Sequence, residues 1–470
     1  MRLRYVNKYR ILAGIFVLFL LYKYLTVNRR KEAEQAYYFE DIDQKVLKSN
    51  EIYDKYQIYS SDSLNKNYYY YKYKTSSSVD GEIKLEEKNN KRERDVNKEF
   101  YVIFEYTKVF NQPKYCNLKI KNDQFSSEKL LFKKLMDSAD EAASRTNQKA
   151  TYDILDDCLY KNCFFTCDKI FAKQANALLF HETDLKNELQ VKNNLKNIEP
   201  FNDRTSSQIW ILWNDEANGV QSNFDRFNFN WTISYKSSSE VSFGAYGVSK
   251  YKDKPVQAEH LDKELKAEFR KRSNKIVWFN SNCASKLRIE YARNLSRYYP
   301  LHVRGKCNQE LEAVSNDYKL LTIDNISCSR DSLCELNFLK LNKYYLAFES
   351  KNCTDYITEK FWRSLSLGIL PIVFQPSKVY YERLAPADSF IHLEDFEYDM
   401  EKLSKHLKEI DSNFSLFKKY FEWKAKFDII YDMKLEKIRM CELCAKLNRE
   451  KNEIYYKSVS KFFNNKCIAN

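Results

Sequence analysis

Residues Tyr344–Pro376 read YYLAFESKNCTDYITEKFWRSLSLGILPIVFQP. Tyr344–Phe348 is a short apolar run of strand character, and the polar loop after it reaches Asp355, placed as a helix N-cap. Phe361, Trp362 and Leu365 then recur at helical spacing. Gly368 is placed to end the helix, and Ile369–Phe374 has the unbroken apolar character of a buried strand. Strand, helix and strand in this order make a βαβ unit. Such units hold ligands at the carboxyl ends of their strands, where a helix N-terminus attracts anions. Glu359 and Lys360 fall in that first helical turn, and a carboxylate beside an ammonium suits a ligand with both sugar hydroxyls and phosphates.

The same alternation continues on both sides. Upstream, Ile276–Phe279 reads as a strand, Asn280–Ser285 as a polar turn, and Leu287, Tyr291, Leu295 and Tyr298 as a stripe at helical spacing. Leu301–Arg304, closed by Gly305, and Phe390–Leu393 read as further strands. Earlier still, Tyr101–Tyr106, Ala177–Phe180 and Gln208–Trp213 are apolar runs with helix-like segments between them, so a first α/β domain precedes the second. Two of these runs end in polar residues, His181-Glu182 and Asn214-Asp215-Glu216. The charged, helical stretch from Pro255 to Lys275 suits an interdomain connection. These shifts predict one domain over 99–255, a second over 256–430, and a helical C-terminal segment over 431–470 that carries Cys441-Glu-Leu-Cys444.

The N-terminus has a different character. Ile11–Leu21 is an unbroken apolar run extended through Val27, behind Arg2, Arg4, Lys8 and Arg10, with no clean small-residue cleavage site. We read 1–10 as a cytoplasmic tail, 11–27 as a transmembrane signal anchor, and the Tyr-, Lys-, Asn- and Ser-rich 28–98 as a stem. The formal net charge is +13, but Lys is scattered among acidic residues without a long basic run, so a solvated surface is expected rather than a nucleic-acid site. All 12 cysteines lie at or after Cys116, and sequons occur at Asn230, Asn294, Asn325, Asn352 and Asn413. An even cysteine set with several sequons fits an oxidising lumen, hence a single-pass type II membrane protein.

Leu346–Glu349 and Asp355–Lys360 match, residue for residue, the LAFE and DYITEK parts of the alpha-1,3-fucosyltransferase signature. The chain closely resembles that family, glycosyltransferase family ten. Tyr380–Phe396, Ile276–Lys306, Asn230–Tyr235 and Ala177–Leu185 resemble further family stretches, and Cys441–Cys444 matches a C-terminal CxxC. The likeness runs from about Val102 to Leu447. It implies a GT-B fold: two Rossmann-like α/β domains facing a cleft, preceded by a single transmembrane anchor and stem. It also implies a Golgi membrane location with the catalytic body in the lumen. The implied reaction is inverting transfer of L-fucose from GDP-fucose to N-acetylglucosamine, either in the core of an N-glycan or in an N-acetyllactosamine antenna. No cofactor or catalytic metal is required on this reading. The alternative is a catalytically weak, Golgi-resident glycan-binding protein that kept the fold.

Such a transfer needs a base for the acceptor hydroxyl and positive groups for the departing diphosphate. Glu216 aligns with the glutamate of the family's WMNFESP stretch and is expected to be the base. The chain departs there, reading Asn214-Asp215-Glu216-Ala217-Asn218 without the Ser-Pro, which leaves Asp215 as a substitute. Arg288 and Lys360, each in a first helical turn, are expected at the diphosphate. Glu359 is expected to accept from ribose or fucose hydroxyls, with Tyr356 and Asn282 as further donor contacts. His181 is expected on the acceptor side. The family's ENS becomes Glu349-Ser350-Lys351, and Lys236 replaces an arginine after NWT. Cys441 and Cys444 are expected to form a disulfide rather than a zinc site.

Overall fold

The computed structural model describes residues from 94 to 468, leaving out 111–154, 193–203, 312–319 and a few short gaps. The expected anchor, nearly all of the stem and the sequon at Asn325 lie outside the described residues. Among those described, no helix is long and apolar enough to cross a membrane.

The first sheet is built from β1 (Tyr101–Glu105), β2 (Cys163–Thr166), β3 (Ala177–His181), β4 (Ile209–Asn214) and β5 (Trp231–Ser234), with helix α1 (Glu182–Lys192) between β3 and β4. Its five strands are all parallel, in the order β2-β1-β3-β4-β5. The runs ALLFH and IWILWN are buried at every position, as a strand covered on both faces must be.

Strand β6 (Val248–Tyr251) and helix α2 (Ala258–Lys271) lead into the second sheet. There follow β7 (Ser273–Phe279), α3 (Lys286–Leu295), β8 (Leu301–Arg304), β9 (Leu321–Asp324), α4 (Leu333–Lys340), β10 (Asn342–Leu346), the short β11 (Asn352–Cys353), α5 (Glu359–Ser366), β12 (Leu370–Val373), α6 (Lys378–Leu384) and β13 (Ile391–His392). The chain then runs through α7 (Met400–Ser412), α8 (Phe414–Lys419), β14 (Phe427–Ile430), α9 (Lys434–Arg449), α10 (Val459–Asn464) and β15 (Cys467–Ile468). The second sheet is parallel throughout, in the order β13-β12-β10-β7-β8-β9. Strand order therefore reverses between β7 and β10, the place where a doubly wound sheet opens a ligand crevice at its carboxyl edge.

The βαβ unit forms as the sequence requires, with β10 and β12 adjacent and Gly368 in the left-handed region at φ +64° past the end of α5. One detail differs. Asp355 is not the N-cap, because α5 begins at Glu359 and Thr358 occupies the cap position. Asp355 itself has φ +63°, and its carboxylate accepts from the Ser237 amide (3.0 Å) and hydroxyl (2.7 Å) in the loop after β5. Burying Tyr356 and Ile357 displaces the helix start, and Glu349 does the capping by accepting from the Thr358 amide at 2.8 Å.

The two sheets meet through several contacts. Strands β6 and β14 pair antiparallel, and Tyr235 and Tyr246 pack on Tyr356. Trp362 lies against Gly247, where an added Cβ would fall 2.0 Å from the indole Cγ, so only glycine admits the ring. The C-terminal segment belongs to the first core: Tyr456, Val459, Phe462 and Phe463 pack with Val102, Phe180 and Trp210.

Cys441 and Cys444 are both disulfide-bonded, though to distant partners and not to each other. The two cysteines sit one turn apart on α9: Cys441 pairs with Cys158 and Cys444 with Cys163, at Cα–Cα distances of 5.2 and 5.8 Å. Helical spacing turns both side chains the same way, so the motif staples α9 to β2 through Cys163 and to the segment before it through Cys158. Further disulfides join Cys283 to Cys307, Cys328 to Cys334 and Cys353 to Cys467.

Candidate active site

At the reversal point of the second sheet, Arg288 bridges the ends of both central strands from the first turn of α3. Its Nη2 donates to Asn280 Oδ1 at 2.7 Å and to the Asn282 carbonyl, and Nη1 donates to the Phe348 carbonyl at 3.4 Å. The side chain is buried, which lowers its pKa from the usual guanidinium range, with Glu349, Tyr345 and Tyr356 opposing that shift. Three buried polar atoms here have no hydrogen-bond partner: Arg288 Nε, Asn280 Nδ2 and Ser285 Oγ. Unused donors beside a helix N-terminus are what the oxygens of an anion would occupy. Asn282 contributes its carbonyl. Its side chain is exposed and folds onto the Ala284 amide at 3.1 Å, in a loop tied by Cys283–Cys307.

Beside this, Glu349 at the end of β10 is fully buried. It accepts from the amide and hydroxyl of Thr358 and from Lys360 Nζ at 3.3 Å. Lys360 also meets Glu359 at 3.3 Å. Burial alone would lower the Lys360 pKa, but Glu349 and Glu359 outweigh it and hold the ammonium charged. Burial raises the Glu349 pKa against the pull of Lys360. Sequence reasoning named Glu359 and Lys360 but assigned no role to Glu349. The signal was present, since Glu349 closes the matched LAFE.

The facing edge belongs to the first sheet. His181 ends β3, Glu216 follows β4, and both line a cavity of about 190 Å³ with Phe110, Trp213, Asp215 and Arg439. His181 Nδ1 lies 2.5 Å from Asp184 Oδ2, while Phe110 and Trp213 present ring edges to the imidazole. Asp215 is held in an ion pair. Arg439 of α9 grips it with two bonds of 2.5 and 2.6 Å, and Trp213 Nε1 donates to it at 2.6 Å. Glu216, the next residue, lines the same cavity and sits among Glu359, Lys360 and Tyr356. Burial raises its pKa from the ordinary carboxylate value. Glu359 and Asp215 push it further up, while Lys360 and a hydrogen bond from the Tyr356 hydroxyl pull it down. A raised carboxylate pKa suits a group that must take a proton near neutral pH.

The structure therefore gathers Glu216, Tyr356, Glu359, Lys360 and Glu349 into one electrostatic cluster, with Arg288 against Glu349 and Tyr356. His181 shares the cavity on the other side of Glu216. The Asn282 side chain stays apart from the buried cluster. Arg439 and Asp184 were not foreseen. Asp184 lies one turn after His181 and could have been read from that spacing, whereas nothing near Arg439 in the sequence points to Asp215.

Residues 269–462 match the family described as glycosyltransferase family 10 (fucosyltransferase) C-term, and residues 130–247 match that described as fucosyltransferase, N-terminal. The 4-galactosyl-N-acetylglucosaminide 3-alpha-L-fucosyltransferase 9 of Mus musculus is 31% identical over 303 residues, which cover 64% of this chain and 73% of that protein. The glycoprotein 3-alpha-L-fucosyltransferase A of Drosophila melanogaster is 32% identical over 225 residues, covering 47% of this chain and 40% of that protein.

Proposed function

The chain belongs to glycosyltransferase family 10, the alpha-1,3-fucosyltransferases, and on that premise we propose that it moves L-fucose from GDP-fucose to N-acetylglucosamine of glycoprotein glycans with inversion, using Glu216 as general base. The observation that carries this is the meeting of Glu216 with Tyr356, Glu359 and Lys360, which joins a raised carboxylate on one sheet to a cationic helix start on the other. The acceptor hydroxyl gives its proton to Glu216 as its oxygen attacks the anomeric carbon of fucose from the face opposite the diphosphate. The anomeric C–O bond breaks, and GDP leaves with the electron pair. Through the transition state, positive charge on the sugar is oxocarbenium-like. Arg288, Lys360 and the N-termini of α3 and α5 offset the charge on the leaving group. The partnerless Arg288 Nε, Asn280 Nδ2 and Ser285 Oγ fit the diphosphate of such a donor.

The names of the two relatives favour different acceptors, a galactosylated N-acetylglucosaminide and a glycoprotein. Both the N-glycan core and the N-acetyllactosamine antenna therefore belong in the test. The reading includes a GT-B arrangement and a Golgi location, with an anchor at 11–27 and the catalytic body in the lumen. The disulfides of the body support an oxidising compartment. The experiment offers GDP-fucose with an N-glycan bearing an exposed core or with an N-acetyllactosamine glycan, and reads fucose gain by mass spectrometry. Wild type should fucosylate one of them, and Glu216→Gln should lose about 10²- to 10⁴-fold in kcat. Transfer by Glu216→Gln at the wild-type rate would remove Glu216 from the role of base.

A further inference from the structure

The segment after Glu216 reads Ala217-Asn218-Gly219-Val220 and forms neither helix nor strand. Within it, the Asn214 side chain accepts from the Glu216 amide at 3.1 Å and donates to the Asn218 carbonyl at 3.4 Å. Its far end is held from a distance. Asn464, the last residue of α10, accepts from the Val220 amide at 2.9 Å and donates to the Val220 carbonyl at 3.0 Å, as a strand neighbour would. Gly219 makes room for this contact, since a Cβ there would stand 2.5 Å from Asn464 Oδ1. Helix α10 is fixed in turn. Lys236 Nζ donates to the Phe462 and Phe463 carbonyls at 2.6 and 3.3 Å, and Asp225 accepts from Ser458 and Ser460.

The other loop is held by β15. Strand β15 pairs antiparallel with β11, Ile468 opposite Asn352, and Cys467 is bonded to Cys353. Cys353 lies three residues before Tyr356, whose hydroxyl reaches Glu216. Lys351 Nζ donates to Asn218 Oδ1 at 3.3 Å, a direct link between the two loops.

We propose that α10 and β15 position the catalytic loop and the donor loop together, with Asn464 a positioning residue for Glu216 and Cys467 a tether for the loop that carries Tyr356. The inference rests on the transfer reading above and names how that site is held. The tail takes over the restraint that a Ser-Pro after the glutamate would supply locally, and it holds both loops from one short segment.

The test uses the full chain and the variants Asn464→Ala, Gly219→Ala and Cys467→Ser. Asn464→Ala and Gly219→Ala should each lower kcat about 10- to 100-fold, as expected for a displaced reacting group, with little change in the KM for GDP-fucose. Their acid limb in kcat/KM should move to lower pH, because a loosened Glu216 is better solvated and its raised pKa falls back. Cys467→Ser should instead raise the KM for GDP-fucose. Wild-type kcat and an unmoved acid limb in both loop variants, even with a lowered melting temperature, would show the tail to be structural only. Should Asn464→Ala fail to accumulate, Gly219→Ala tests the same contact with the tail chemistry intact. Hydrogen exchange needs no turnover, so it separates this proposal from the function itself. Faster exchange at 214–222 in Asn464→Ala and at 350–356 in Cys467→Ser supports the positioning role even if no fucose is transferred, and unchanged exchange at both overturns it.

Discussion

The loop that carries Lys360 and the loop that carries Glu216 face each other, but they are held in opposite ways. At the start of its helix the first is restrained by its own neighbourhood, Glu349 reaching Thr358 and Lys360 only 9 and 11 residues further along the chain, while distant ties, Cys353 to Cys467 and Asp355 to Ser237, hold the part before it. The second is restrained by residues 224 and 244 positions away, Arg439 on Asp215 and Asn464 on Val220. A helix start capped from within one contiguous segment carries that part of its geometry in its own sequence. A catalytic loop built from distant parts depends on the whole fold closing around it. Breaking each restraint should therefore have different consequences.

The largest effect on stability is expected on the local side. Glu349→Gln keeps an acceptor for the Thr358 amide but leaves Lys360 with Glu359 alone, beside a site that is completely buried. Breaking a buried ion pair from one side costs about 3–5 kcal/mol. The melting temperature should fall accordingly, and donor affinity with it, while Glu216 keeps its distant restraints. Arg439→Met should cost about 3 kcal/mol, the lower end of that range, because Trp213 Nε1 still donates to Asp215. Unlike Glu349→Gln, it frees a second carboxylate next to Glu216, so kcat should fall at unchanged GDP-fucose affinity. The double variant Asp215→Asn/Arg439→Met should recover part of the lost stability. If Arg439→Met instead weakens donor binding and spares kcat, the distinction between the two loops is wrong.

The same contrast explains what could be read from the sequence. The βαβ unit was legible because each of its features is local: apolar runs for β10 and β12, helical spacing of Phe361, Trp362 and Leu365, and Gly368 at the turn. Its one misread residue, Asp355, is the one whose carboxylate is spent on Ser237, 118 positions away. The partners of Cys441 and Cys444 were illegible for the same reason, since they lie 283 and 281 residues upstream. Asn230, which heads a sequon, is likewise held by partners outside its own segment. Its side chain is buried, accepting from Arg204 and the Trp210 amide and donating to the Ile454 carbonyl, so it serves the fold and offers no free amide to a glycan. Glu216 could be proposed only because the resemblance singled it out. That Asp215 is taken and Glu216 is not follows from an arginine that no pattern near residue 215 anticipates.

The smallest expected effect concerns a side chain that spans the two loops. Tyr356 belongs to the donor loop, but its hydroxyl donates to Glu216, and this bond favours the ionised carboxylate. Glu359 acts in the other direction, because a second carboxylate nearby makes ionising Glu216 harder. A general base works only when deprotonated, so activity falls as pH drops through its pKa, and a raised pKa places that loss at higher pH. Tyr356→Phe removes a lowering influence, and its acid limb in kcat/KM should move to higher pH. Glu359→Gln removes a raising influence, and its limb should move to lower pH. The profile of kcat/KM reports the free enzyme, the state in which these contacts are seen. Opposite displacements would show that the locally built loop tunes the distantly held base. Limbs that coincide with wild type in both variants would mean that the two loops communicate only through the substrate that lies between them.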